Sequence, residues 1–350
     1  MKVLKRKHNN TVNYFSVRLK NFVFLSKRYK ILLNYIAGPL LFIILSWSIY
    51  TKLKSQYSLS QIKELISDAF DGNNHPKVIY LFLLMCANWG IEAFKWKILM
   101  QRIEPVSFFR AYKAILSGLS FSMFIPNGVG DYIGRTLFMH EGNRLRSVPL
   151  NIIGSISQLI VTLITGAAGL LYMKNTILHI EGLSAYWISG LLYAILAALL
   201  FFLLIFFKIS WFTVWFEKIP FIQRHRIFVQ SLEHFSLQQL TQILMLSILR
   251  YGVFIIQYII VFELFNVNIP IVQAAFAVSV LFLLLAVVPA VPNIAELGVR
   301  GEASRQLFGL LSTNIAGIVF SAAFIWIVNL IIPALAGTIF ITSIKLFNKK

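Results

Sequence analysis

Charge is what this sequence lacks. Only 13% of its 350 residues are Asp, Glu, Lys or Arg while 58% are apolar, where a soluble domain carries roughly a quarter charged. That shortage excludes an ordinary soluble globular domain. Cysteine is almost missing too: Cys86 stands alone, so no intrachain disulfide can form, and its place in an apolar run reads as a small packing residue. The six histidines (His8, His75, His140, His179, His225 and His234) are scattered without metal-ligand spacing. There is no H-E-x-x-H motif, no Ser–His arrangement at a recognisable spacing and no G-x-x-x-x-G-K-[ST] loop. No metal, cofactor or catalytic set is therefore expected, so the chain reads as a non-enzyme, and any active transport would need an ion gradient or a partner. Acids are scarcer than bases, 13 against 32, for a net charge of +19. No basic stripe is interleaved with base-stacking aromatics, so nucleic acid is not an expected partner. Basic residues collected on the cytoplasmic side of a membrane account for the excess better.

What the chain does have is long apolar runs. Eight can be marked, at about 31–50, 78–94, 108–125, 148–172, 185–207, 241–262, 271–291 and 313–342. They are continuous, as membrane helices require, and lack the short alternation of a barrel. Residues 1–30 hold nine Lys or Arg and no acid. With no small-residue cleavage site behind the first run, they read as a cytoplasmic tail before a signal anchor, beside anionic headgroups. Between the fifth and sixth runs, 208–240 combines Trp211, Phe212, Trp215, Phe216 and Ile219 with Lys208, Lys218, Arg224 and Arg226. It is either an interfacial helix or a plain linker.

Charge also decides how many runs cross. If all eight do, from a cytoplasmic N-terminus, 18 Lys or Arg lie inside. If 106–146 and 270–311 instead enter and leave on one side, 23 lie inside and 5 outside. The second arrangement satisfies the positive-inside rule better. Length agrees, because the arm Tyr112–Pro126 would span about 22 Å as helix, short of a roughly 30 Å hydrocarbon core. The expected fold is an all-α polytopic membrane protein with about six spanning helices and two re-entrant hairpins. It forms one transmembrane domain over 31–345, with both termini cytoplasmic.

Offsetting the sequence by 165 places Pro105 on Pro270, Asp131 on Glu296 and Arg135 on Arg300, and brings Pro126 within one position of Pro292. At an offset of 162, Asn88-Trp89-Gly90 falls on Arg250-Tyr251-Gly252. Unit one (about 78–172) and unit two (about 241–342) would then be inverted repeats joined by a connector, 173–240, an architecture that places transport sites where broken helices meet near the midplane. Pro126, Asn127, Gly128 and Gly130 would turn the first hairpin; Pro292, Asn293 and Gly298 would turn the second. Asp131 and Arg135, like Glu296 and Arg300, are four apart on one helix face and can pair. Ionisable residues at membrane depth usually face a cavity and mark a pathway. The arginines can hold a lipid phosphate bidentately, or each pair can neutralise itself and lock its hairpin. Arg250, mid-run, should face the interior and meet substrate or a hairpin acid. Glu92, Lys95 and Lys97 read as snorkelling to the interface. Asn151, Gln158, Asn314 and Asn329 read as helix-bridging groups, and Pro333 as a kink in the last helix.

The sequence "PNGVGDYIGR" (Pro126–Arg135) and the later "LGVRGE" (Leu297–Glu302) resemble the transmembrane region of lysylphosphatidylglycerol synthases, in particular stand-alone flippase-like proteins carrying only that region. Gly128, Gly130, Asp131 and Arg135 match the first hairpin pattern, and Leu297, Gly298, Val299 and Arg300 the second. Asn293 to Glu296 replace that pattern's glycines, and Gly301 separates Arg300 from Glu302. The resemblance implies movement of a phospholipid or other lipid-linked anion between leaflets of the cytoplasmic membrane. It does not imply synthesis, which in bifunctional relatives belongs to a soluble domain. Membrane lipids are the expected partners, with a homo-oligomer or a partner membrane protein compatible with the sequence. A membrane scaffold and a membrane-embedded lipid-modifying enzyme are the alternatives.

Overall fold

A computed structural model describes residues 58–125, 128–178, 184–208, 235–287 and 293–342, with Trp47, Tyr50, Thr51, Lys54 and Leu232. The expected first span (apart from Trp47 and Tyr50), the connecting segment 208–240 (apart from Lys208, Leu232 and 235–240), and the turn residues Pro126, Asn127 and Pro292 lie outside the described residues. The helices are α1 (Leu59–Ala69), α2 (His75–Met100), α3 (Phe108–Phe124), α4 (Val129–Thr136), α5 (Arg144–Tyr172) and α6 (Lys174–Ile177). They continue as α7 (Ala185–Phe207), α8 (Leu237–Leu264), α9 (Ile271–Val287), α10 (Asn293–Phe308), α11 (Ile315–Trp326) and α12 (Ile332–Thr342), the last two joined by a π-helical turn, Ile327–Ile331. No strand occurs among the described residues.

Helix starts follow local chemistry. Ser58 with Gln61, and Ser236 with Gln239, form reciprocal capping boxes that satisfy the free N–H groups opening α1 and α8. Ser107 caps α3 through the Arg110 amide, and Asn314 caps α11 through that of Gly317. Gly128 opens α4 at φ 70°, a left-handed conformation that glycine reaches without a Cβ penalty.

Five helices are long and apolar enough to cross a membrane: Gly72–Met100, Glu141–Tyr172, Ala185–Phe207, Leu237–Leu264 and Ile315–Ile341. The spans expected at 78–94, 148–172, 185–207, 241–262 and 313–342 each fall on one of these. α3 and α9 have 17 residues each, about 25 Å of helix at 1.5 Å per residue. α2 and α8 run antiparallel, since Lys77 meets Glu263, Gln257 meets Leu81, Arg250 meets Asn88 and Lys95 meets Ser247.

The packing interleaves the two halves of the chain. α3 packs on α4 and on α12, near the C-terminal end of the described chain; α9 packs on α10 and back on α5. Close approach at these crossings depends on glycine. A Cβ on Gly118 or Gly134 would strike the opposite arm of the α3–α4 hairpin, one on Gly337 the Leu116 carbonyl, and one on Gly166 the Leu283 side chain. Two apolar cores result. One gathers α2, α3, α12 and the first halves of α5 and α8; the other gathers α9, α11, the end of α10 and the second halves of α5 and α8. α7 buries only Ile188, Ile195 and Phe206 and turns the rest of its apolar surface outward, as a helix against lipid can.

At the open end of the α3–α4 hairpin, Glu104 ties the loops together. Its carboxylate meets Arg110 Nη2 at 2.9 Å and His140 Nδ1 at 3.0 Å, and accepts from Asn143 Nδ2 at 2.9 Å and from the His140 amide at 3.2 Å. Burial alone would raise its pKa, but the hydrogen bonds from Asn143 and His140 and the Arg110 charge outweigh that and hold it below the usual carboxylate value.

Several expectations are corrected. Gly130 lies inside α4, not in a turn, where it lets the helix touch the Phe121 carbonyl. Asn293 opens α10, and Gly298 is a buried residue within it. Cys86 is exposed on the outer face of α2, not packed inside. At the expected kink, Pro333 has no N–H for the Asn329 carbonyl four residues back, and the turn Ile327–Ile331, which ends two residues before the proline, is π-helical.

Candidate functional site

Asn88 is the fourteenth of the 26 residues of α2, and Arg250 the fourteenth of the 28 of α8. Asn329 is the fifteenth residue of the 27-residue span Ile315–Ile341. Three spans thus bring polar side chains to their midpoints, and the three are bonded together. Arg250 Nε donates to Asn88 Oδ1 at 2.9 Å, Asn88 Nδ2 donates to Asn329 Oδ1 at 3.3 Å, and Trp89 Nε1 donates to the Asn329 carbonyl at 3.1 Å. That carbonyl is the acceptor Pro333 leaves free, so proline and indole are complementary parts of one joint.

One turn further along α2, Glu92 is the hub of a buried ion cluster. Its Oε1 accepts from Arg135 Nη1 at 3.0 Å; its Oε2 meets Lys95 Nζ at 2.8 Å and Arg250 Nη1 at 3.2 Å. Glu92 is 4% exposed and Lys95 1%. Arg135 also binds Asp131 with two nitrogens, Nε at 2.8 Å and Nη2 at 2.6 Å, a fork geometry suited to arginine. Lys95 donates to the Gly154 carbonyl and to Ser247 Oγ, both at 3.3 Å, and Ser247 bonds Ser157 at 2.8 Å. The Arg250 guanidinium lies over Trp89, 4.8 Å from the ring, and 5.4 Å from that of Phe254, within cation–π range. A single charge in hydrocarbon costs several kcal/mol; these persist because each has an opposite charge and hydrogen bonds around it.

The second hairpin carries a smaller counterpart. Arg300 Nη2 meets Glu296 at 2.6 Å and Nη1 donates to the Tyr258 hydroxyl at 3.2 Å, while its buried Nε has no partner among the described residues. Beyond it, Glu302 pairs with Arg305 on the same helix.

Sequence-derived pairs Asp131–Arg135 and Glu296–Arg300 are therefore formed, and Arg250 faces the interior. Its acid, though, is Glu92 on a span, not a hairpin carboxylate. Glu92 and Lys95 are the residues that sequence reasoning missed: placed at the end of a run, they read as interface residues, but α2 continues to Met100 and buries both. The overlooked signal was Arg250 itself, since a mid-span cation needs an acid, and Glu92 is the only Asp or Glu between 78 and 94. Asn151 bridges to Trp96, and Asn314 to the Phe265 and Asn266 carbonyls, as expected of such groups. Gln158 Oε1 is buried without a partner among the described residues.

The long apolar helices, with a buried cluster of acids and bases beside the midpoints of two of them, define a multi-pass helical membrane protein. The lysylphosphatidylglycerol synthase TM region family matches residues 35–337, most of the chain, and the protein belongs to it. No curated protein and no solved structure matches the chain.

Proposed function

We propose that the protein moves a phospholipid or another lipid-linked anion between the leaflets of a cytoplasmic membrane, and that it does so as a transporter without chemically altering its cargo. The observation that carries this reading is the Glu92 cluster. Two spans and the short arm α4 meet on one carboxylate near mid-depth, where polar groups serve a pathway more often than a fold. A headgroup crossing the bilayer core needs polar partners there.

In this reading α3–α4 and α9–α10 are re-entrant hairpins of two inverted units. Three observations support it. α3 and α9 have 17 residues each, about 25 Å of helix against a roughly 30 Å hydrocarbon core; α2 and α8 are antiparallel; and the pairing of α3 with α12 mirrors that of α9 with α5. The sequence charge count supports cytoplasmic termini. Asp131, Arg135, Arg250, Glu296 and Arg300 then line or brace the lipid path.

The test is translocation in proteoliposomes, with headgroup-labelled anionic lipid and a membrane-impermeant quencher. Quenching beyond the outer-leaflet half, lost in Arg135→Ala and Arg300→Ala variants that still insert and fold, is the expected result. An intact wild type that moves none of several anionic lipids would sink the proposal.

A further inference from the structure

At formal charges the cluster does not sum to zero. Glu92 and Asp131 supply two negative charges and Lys95, Arg135 and Arg250 three positive ones, leaving one positive charge over. By contrast, Glu296–Arg300 and Glu302–Arg305 are each one acid with one base. A buried excess charge is unfavourable unless a counter-charge comes to it. Donors are left to receive one: a guanidinium has five N–H groups, and Arg250 spends only Nε on Asn88 and Nη1 on Glu92. No hydrogen bond from its Nη2 is found among the described residues, and the side chain is 13% exposed. Arg135 lies on the other oxygen of the same carboxylate, so the two guanidinium groups flank Glu92.

Resting on the transport reading above, we infer that the Glu92 cluster takes a phosphodiester monoanion, held at Arg250 Nη2 with Arg135 beside it, and selects against both uncharged and dianionic headgroups. One negative charge completes the cluster. An uncharged headgroup leaves the positive excess in place, and a phosphomonoester dianion overshoots it by one. Arg250, clamped between Asn88, Glu92 and the Trp89 ring, presents its free edge in a fixed orientation, which suits it to a diester oxygen.

The test is binding by the full chain in uncharged detergent, at pH 8, where a phosphomonoester is a dianion. The probes are dihexanoyl phosphatidylglycerol, dihexanoyl phosphatidic acid, dihexanoylglycerol and, as a soluble diester, dimethyl phosphate. Wild type should bind phosphatidylglycerol about tenfold or more tightly than phosphatidic acid or dihexanoylglycerol, the equivalent of at least one removed favourable charge contact. Asp131→Asn raises the excess to two and should move the preference about tenfold toward phosphatidic acid. Lys95→Met abolishes the excess and should erase the preference for phosphatidylglycerol over dihexanoylglycerol. Because Lys95 is buried and that variant can fail to fold, Asp131, whose side chain is 20% exposed, carries the decision. Equal binding of all three lipids by wild type, or an Asp131→Asn ratio unchanged from wild type, overturns the inference while leaving transport intact. Monoanion selectivity without any translocation in proteoliposomes would keep the site and sink the transport reading, as would dimethyl phosphate binding as tightly as phosphatidylglycerol.

Discussion

Arg250 Nε and Asn88 Oδ1 are 2.9 Å apart in space and their residues 162 apart in sequence, the offset that aligns Asn88-Trp89-Gly90 with Arg250-Tyr251-Gly252. Two residues related by a two-fold axis touch each other only at the axis, so this bond marks where the axis of the proposed inverted units would pass. The ends of the helix pair agree. Offsetting Lys77 and Glu263 by 162 gives positions 239 and 101; Gln239 bonds Arg102, one residue away, at 2.8 Å.

A double-mutant cycle on Asn88→Ala and Arg250→Ala should therefore show strong coupling. We expect about 1–3 kcal/mol from unfolding midpoints in detergent, typical of buried bonded neighbours. The exposed pair Lys77–Glu263 should give well under about 1 kcal/mol in the same assay. Coupling at Asn88–Arg250 no larger than at Lys77–Glu263 would remove it from the structural centre.

The α3–α4 crossing has no room for methyl groups. A Cβ on Gly118 would collide with Asp131 Oδ1, and one on Gly134 would sit 2.6 Å from the Gly118 backbone, whereas Gly142 has open space. Gly118→Ala and Gly134→Ala should each destabilise by about 1–3 kcal/mol, with Gly142→Ala near neutral. Comparable melting of all three variants would contradict the hairpin packing.

Trp89 and Pro333 should be epistatic. Trp89→Phe leaves the Asn329 carbonyl buried with no donor, a loss of about 1–3 kcal/mol. Combined with Pro333→Ala, which returns an N–H four residues on, the same change should cost markedly less. Additive effects would mean that the indole and the proline do not share that carbonyl.

Glu104 gives stability a pH dependence of definite sign. Its folded-state pKa is held below the ordinary value, so its contribution is complete above the unfolded value of about 4.3 and is lost as pH falls through the folded-state value. Between pH 7 and 3, the melting-temperature advantage of wild type over Glu104→Gln should shrink as acid is added. An advantage that stays constant or grows would reverse the assignment.

Much of this was legible in the sequence because membrane helices announce themselves by length and apolarity, and rare residues stand out against them. The spans, the short α3, and the pairs Asp131–Arg135 and Glu296–Arg300 could be read from the sequence. Glu92 and Lys95 could not. Their meaning depends on how far α2 continues and on an arginine 158 positions away, and hydropathy blurs where a span ends. Gly130 and Gly298 were misread for a related reason: glycine marks a turn and a close helix contact with the same letter, and only the position of the opposite helix tells them apart.

The interleaved packing has a consequence for how the protein is made. α3 rests on α12, and Phe124 precedes Ile332 by 208 residues. While the chain is being inserted, α3 has to wait for the support that α12 gives it in the finished fold. Final assembly of the early half is thus deferred until the last helix arrives. Whatever holds α3 in the interval, lipid or insertion machinery, acts on a form that the finished protein no longer displays.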